Sequence, residues 1–186
     1  MLSDIKRAKF TLYFDITDSD GSGKIDRATF VGNADNFISV LNLDPTSEAA
    51  ESLKMAYANY WEVIALADSD QDGIVSLEEW VENFYQIGLD ENLLETAIIG
   101  GGTVLLKLFD TDGDQRISRQ EWLTLFKTVN HPASTYEISF DKLDRDHDGF
   151  LSIDEIQIAC REFFSSDDPE ALGNWLYGDY TKYLSP

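Results

Sequence analysis

Cysteine, histidine and methionine are scarce in this sequence, and each shortage argues against a class of protein. Cys160 is the only cysteine, so no intramolecular disulfide forms, and we expect an intracellular protein. The two histidines, His131 and His147, complete no Ser–His–Asp set, and we therefore expect no enzyme. Two methionines, Met1 and Met55, are too few for the adaptable Met-rich groove of many partner-binding proteins.

Basic residues and long apolar runs are also in short supply. The chain has 14 Lys and Arg against 35 Asp and Glu, for a net charge of −21. Nucleic acids and anionic membranes would be repelled, whereas cations are the natural partners. The most apolar segment, residues 97–109, is too short to span a bilayer, and no signal-peptide core follows Met1. We expect a cytoplasmic protein without membrane insertion.

The acidic residues are concentrated in four segments of twelve residues, at 18–29, 68–79, 110–121 and 144–155. Each has Asp at its first and third places, an oxygen-bearing residue at the fifth and an aliphatic residue at the eighth. This is the pattern of an EF-hand calcium loop. Calcium is a hard cation that takes about six to eight oxygen ligands at roughly 2.3–2.6 Å. The pattern therefore predicts bound Ca²⁺.

Segments 68–79 and 144–155 fit every place of the pattern. In the first of them, Gly73 permits the left-handed turn, and Glu79 is long enough to bind with both oxygens. The ligands that we predict are Asp68, Asp70, Asp72, the carbonyl oxygen of Ile74, and Glu79 in one loop, and Asp144, Asp146, Asp148, the carbonyl oxygen of Phe150, and Glu155 in the other. His147 is expected to face solvent.

The other two segments depart from the pattern at one place each. In 110–121, Gln115 stands at the glycine place, and a left-handed non-glycine costs about 1 kcal/mol, which weakens the site. Its predicted ligands are Asp110, Asp112, Asp114, the carbonyl oxygen of Arg116, and Glu121. In 18–29, Thr29 stands where a bidentate carboxylate is needed. Its predicted, weaker ligands are Asp18, Asp20, Ser22, the carbonyl oxygen of Lys24, and Asp26. We expect three calcium sites, with Mg²⁺ competing for them. Segment 18–29 is either a fourth, weaker calcium site or a loop that serves only the fold.

The spacing of apolar residues predicts an all-α protein of four helix–loop–helix units, with the loops paired through short antiparallel strands. The halves would be an N-terminal pair over 1–88 and a C-terminal pair over 89–186 with a packed tail, joined into one compact body. A helix should continue through the glycines at 100–102. For that triplet we favour close helix packing over the wall of a cavity or a hinge.

The four loops, the long first interval between them and the closing stretch 171–179 with Trp175 and Tyr177 resemble the sarcoplasmic calcium-binding proteins, with their calerythrin-like and calexcitin-like members. The resemblance implies two EF-hand pairs packed face to face. Several members lose their second loop, whereas here the second is intact and the first is doubtful.

Three functions are compatible with these features. A monomeric calcium buffer is favoured, because rigid aromatic residues suit a closed core better than an adaptable groove. A calcium sensor that engages a protein partner is the alternative, since loops of different quality could set graded affinities. A luciferin-binding or photoprotein-like protein is the least favoured, because two loop histidines do not supply the interior histidines that oxygenating photoproteins use.

Overall fold

The computed structural model describes residues 1–128 and 133–184, and His131 lies outside them. The helices are α1 (Asp4–Thr17), α2 (Arg27–Val40), α3 (Glu48–Ile64), α4 (Leu77–Leu89), α5 (Glu91–Leu93), α6 (Gly100–Phe109), α7 (Arg119–Leu125), α8 (Ala133–Leu143) and α9 (Ile153–Ser165). The strands are β1 (Lys24–Asp26), β2 (Ile74–Ser76), β3 (Arg116–Ser118) and β4 (Phe150–Ser152). Short 3₁₀ turns lie at Ala65–Ala67, Phe126–Thr128, Leu172–Trp175 and Tyr180–Tyr183. The predicted fold class is confirmed.

Each loop is entered from one helix and followed directly by the next. The helices after the loops begin directly after the ninth loop residue, whose side chain accepts a hydrogen bond from the backbone N–H three residues later. These N-cap residues are Asp26, Ser76, Ser118 and Ser152. In the last three, the glutamate at the twelfth place returns the bond and completes a capping box. The calcium pattern thus also specifies where the exit helices start.

The loops are paired as the sequence predicts. Strand β1 pairs antiparallel with β2 and β3 with β4, with Ile25 opposite Val75 and Ile117 opposite Leu151. All four side chains are fully buried. Each loop is therefore held against its neighbour by one buried apolar pair and the hydrogen bonds of the ladder.

The core is continuous across the two halves. Phe10 of α1, Phe84 of α4 and Phe164 of α9 are fully buried, and their ring centroids lie 5.4–6.2 Å apart. Gly88 is the point of closest approach, because a Cβ there would lie 2.1 Å from the carbonyl oxygen of Phe164. The predicted division after residue 88 therefore falls inside α4, at a helix crossing. The division itself stays a prediction.

The chain stays helical across the glycines, as predicted, with one change of helix type. Leu94–Ile99 forms a π-helix that leads directly into α6. The favoured interpretation, close packing, is wrong at Gly102. An added Cβ there would have no neighbouring atom within 4 Å, and the residue lines an internal cavity.

The C-terminal tail packs back onto the body, as predicted. Tyr177 stacks on Tyr13 of α1, with 4.4 Å between ring centroids, and Tyr180 is buried at 4% exposure. In the described parts of the chain, no helix is long and apolar enough to cross a membrane.

Candidate metal centre

Three of the four loops bring carboxylates together. In each, oxygens from the first, third and twelfth residues lie within 4.8 Å of one another. The three sets are Asp68, Asp70 and Glu79; Asp110, Asp112 and Glu121; and Asp144, Asp146 and Glu155. Like charges this close repel one another, so a divalent cation bound between them would relieve the repulsion.

The glutamate of each cluster reaches back across its loop. Glu79 Oε1 accepts hydrogen bonds from the backbone N–H and hydroxyl of Ser69, while Oε2 accepts from the backbone N–H of Ser76 at 3.0 Å. Glu121 bonds Thr111 and Ser118 in the same way, at 2.7 and 2.9 Å. Each carboxylate therefore ties the second loop residue to the ninth and is held over the centre of the loop.

These bonds keep the glutamates ionised. The backbone N–H of Ser76 is the main cause that lowers the pKa of Glu79 to about 2. Around Glu121 and Glu155, burial raises the pKa, but hydrogen bonds, led by those from Ser118 and Ser152, outweigh it and lower the pKa. An ionised carboxylate is the form that binds a cation.

Loop 144–155 contains an oxygen that the protein leaves unpaired. Asp144 is 7% exposed, and its Oδ1 is buried without a hydrogen-bond partner among the described residues. Its Oδ2 accepts from the backbone N–H of Gly149 at 3.1 Å. A buried, unpaired carboxylate oxygen is costly unless a cation satisfies it. The residues fit Ca²⁺, and Asp144, Asp146 and Glu155 would hold it.

The carboxylate of the fifth residue is not part of the converged cluster in any of these three loops. The carboxylates of Asp72, Asp114 and Asp148 accept hydrogen bonds from the backbone N–H two residues later, at 2.8–2.9 Å. Those later residues are Ile74, Arg116 and Phe150, whose carbonyl oxygens we predicted as ligands; each begins a β-strand. The bonds fix the turn that leads into the strand.

The backbone turns are left-handed at the sixth place of every loop, as predicted. Gln115 adopts φ of 65° where the other loops have glycine. The sequence analysis missed that the fourth place is also left-handed, with φ of 61° at Gln71 and 60° at His147. The signal available was Gly21 and Gly113 at the same place in the other two loops. His147 is exposed, as predicted.

Loop 18–29 is built differently, and among its residues, all of them described, no three acidic groups converge. Asp26 Oδ1 accepts from the backbone N–H of Thr29 at 2.8 Å, which caps α2. Ser22 Oγ donates to the carbonyl oxygen of Lys24 at 2.9 Å. Asp26, which we predicted as a ligand, therefore caps the helix through this oxygen, as the serine at the ninth place does in the other loops.

A basic side chain, for which the sequence analysis predicted no role, joins loops 110–121 and 144–155. The Arg116 guanidinium lies 3.1 Å from the Asp114 carboxylate and 3.7 Å from that of Asp148. Its plane covers the Phe150 ring at 3.8 Å. Only the register of β3 against β4 brings these groups together, so the contact was not predictable from spacing.

Comparison with known proteins agrees with this geometry. The EF hand family model matches residues 62–85, 104–127 and 137–158, ranges that exclude loop 18–29. Calerythrin of Saccharopolyspora erythraea is 26% identical over 167 residues, which cover 86% of this chain and 93% of that protein. Three segments of the chain thus match the EF hand model, and most of its length is similar to calerythrin. The match to the EF hand model and the three carboxylate clusters identify the chain as a Ca²⁺-binding protein.

Two solved structures share the fold of this EF-hand chain. The sarcoplasmic calcium-binding protein of amphioxus has a TM-score of 0.76 with 19% identity, and the match covers 96% of this chain and 99% of that one. The coelenterazine-binding protein of Renilla muelleri, in a calcium-loaded apo form, has a TM-score of 0.70 with 22% identity, covering 96% and 99%. At these identities the likeness is one of fold.

Proposed function

We propose that this EF-hand protein is a non-enzymatic, monomeric calcium buffer of the cytoplasm. The observation that carries the proposal is the aromatic core shared by the two halves. Phe10, Phe84 and Phe164 join α1, α4 and α9. Helix α4 follows loop 68–79 and helix α9 follows loop 144–155. A sensor opens its helix pairs to expose an apolar groove, and here that opening would break a fully buried contact.

The methionines support the same proposal. Met1 is fully exposed and Met55 is 64% exposed, so neither contributes to a buried groove. A buffer needs sites that fill without large rearrangement, and the three carboxylate clusters are already converged. We expect Mg²⁺ to compete at these sites, as it does in cytosolic buffers of this kind.

Calcium-dependent retention on a phenyl column separates the buffer from the sensor. A buffer elutes alike with Ca²⁺ and with EGTA, whereas a sensor is retained only with Ca²⁺, because its apolar groove opens. Retention that appears with Ca²⁺ would refute the buffer and favour a protein partner. Calcium calorimetry with and without millimolar Mg²⁺ supports the buffer if Mg²⁺ weakens the apparent affinity.

The photoprotein-like function remains the least supported of the three. His147 is exposed in loop 144–155, and the described residues that line the internal cavity include no histidine. Mixing the protein with coelenterazine, oxygen and Ca²⁺ tests it directly. Sustained light would contradict our proposal.

A further inference from the structure

A cavity of about 440 Å³ lies between the two halves of the molecule. Its walls come from α1, α2, α3, the π-helix, α6, α7, α9 and the tail. Protein interiors contain few voids larger than a water molecule, and ligand cavities typically measure about 300–1,000 Å³. This cavity is therefore too large to be a packing defect and has the size of a small-molecule site.

The lining is mostly apolar and carries no charged side chain among the described residues. Aromatic rings dominate it, including those of Phe30, Phe37, Phe109 and Trp122, and no Asp, Glu, Lys or Arg is among the described lining residues. A charged ligand would lose its hydration without gaining a counter-charge, at a cost of several kcal/mol. The cavity therefore selects a neutral, ring-containing molecule.

The lining offers few polar groups to a ligand. Trp122 is 2% exposed, and its indole Nε1–H is buried away from the cavity. The hydroxyls of Tyr13 and Tyr60, two residues of the lining, are 3.4 Å apart, at the long end of a hydrogen bond. A ligand would therefore be held chiefly by its apolar surface.

The cavity opens to solvent, and one residue of its wall is a glycine without a side chain to fill it. Asn36, Asn59 and Thr96 line it and are exposed, so it reaches the surface where its lining is polar. Gly102 lines it too, and its missing side chain leaves open space. The π-helix Leu94–Ile99 lies directly before α6, and such segments are frequent at functional sites.

We propose that this cavity binds a neutral aromatic molecule, which the aromatic rings of the lining recognise. The site is separate from the calcium loops and does not depend on the buffering function.

Two fluorescent probes with the same ring system test the charge selectivity. N-phenyl-1-naphthylamine is neutral, and 8-anilinonaphthalene-1-sulfonate adds a sulfonate to that skeleton. Titrated into the calcium-loaded protein, the neutral probe is expected to bind at one site per chain, at least about tenfold more tightly than the anionic probe. Equal binding of the two probes, or no saturable binding of the neutral one, would overturn the proposal.

A matched pair of glycine variants tests the location. Gly102→Leu places a side chain in the cavity, whereas Gly32→Leu makes the same change on an exposed part of α2, where a Cβ also has no neighbour within 4 Å. Both changes favour helix formation, so neither is expected to unfold the protein. Gly102→Leu should weaken binding of the neutral probe at least about tenfold, and Gly32→Leu should leave it unchanged. Equal binding by both variants would place the site elsewhere.

Discussion

The Arg145 Nη2 atom lies 2.6 Å from Glu162 Oε2 and so connects a calcium loop to the C-terminal tail. Arg145 is the residue after Asp144 in loop 144–155, and the same Glu162 oxygen accepts the backbone N–H of Gly173 at 2.6 Å. The carbonyl oxygen of Glu162 accepts from Lys9 Nζ at 3.1 Å. One residue of α9 thus holds loop, tail and α1 together.

Replacing Glu162 should loosen this junction. We expect Glu162→Ala to lower the free energy of unfolding by about 1.5–3 kcal/mol, because charged hydrogen bonds are lost at a partly buried site. Arg161→Ala is the matched control on the same helix; its ion pair with Glu95 is more exposed and should contribute about 1 kcal/mol or less. Urea denaturation of the calcium-loaded proteins measures both. Equal losses would show that the junction at Glu162 contributes no more to the free energy of unfolding than an exposed ion pair does.

The twelfth loop residues should set the calcium stoichiometry. Glu79→Gln, Glu121→Gln and Glu155→Gln should each remove about one Ca²⁺ from a calorimetric titration, since bidentate closure is lost. Glutamine still completes the capping box, so the exit helix is preserved. Glu78→Gln, one place earlier, is the control and should leave the calcium stoichiometry unchanged, because Glu78 pairs with Arg7 and not with a calcium cluster. Thr29→Ala should also leave the stoichiometry unchanged, whereas Thr29→Glu should add or tighten a site; a large loss in Thr29→Ala would show that loop 18–29 binds well.

Arg116 should compete with calcium in the C-terminal pair. Its guanidinium neutralises Asp114 and Asp148. We expect Arg116→Met to tighten binding by about two- to fivefold, as for an exposed ion pair, with the gain shrinking at high salt. Arg119→Met is the control, because Arg119 pairs with Asp141, a residue that belongs to neither calcium loop. Weaker binding in Arg116→Met would instead show that the arginine orders the loops for calcium.

The crossing of α4 and α9 should tolerate no side chain at residue 88. Gly88→Ala would drive its Cβ against the Phe164 carbonyl, and we expect a loss of about 1–3 kcal/mol or more in the free energy of unfolding. Gly32→Ala, in the open part of α2, should instead gain up to about 1 kcal/mol from helix propensity. Thermal and chemical denaturation would report the opposite signs. A neutral Gly88→Ala would mean that the two helices separate easily.

Lys9 should make stability depend on pH. Burial, together with the nearby charge of Lys6, lowers the pKa of Lys9 to about 7. In the unfolded chain a lysine titrates near 10.4, so between about pH 7 and pH 10 the unfolded state binds more protons. The contribution of Lys9 to the free energy of unfolding therefore rises with pH over that range.

The comparison of wild type with Lys9→Met isolates this contribution. The wild-type value minus the variant value should increase from pH 7 to pH 9 at saturating calcium. Burial also raises the pKa of Cys160 to about 12, which lowers stability above about pH 9, but both chains share that effect. Lys107→Met, at an exposed position, should show no such trend. A flat difference for Lys9→Met would contradict the low pKa.

Much of the fold and of the site was predictable because the calcium loop is a local code. Asp68, Gly73 and Glu79 have their identities for reasons that lie within twelve residues, and the aliphatic eighth place predicts the strand pairing. Asp26 shows the limit of such reasoning. An aspartate at the ninth place could bind the ion or cap the helix, and only the folded backbone shows that it caps.

The sequence by itself determined the four loops, the paired architecture and the choice of Ca²⁺, since these depend on residue type at fixed local spacing. The tertiary structure alone decided where distant residues meet. Gly102 faces a cavity because α6 packs against helices from the other half, and Arg116 reaches Asp148 through the strand register. Glu162 joins loop to tail because α9 crosses both. Such contacts depend on how helices are placed in three dimensions, which local pattern does not encode.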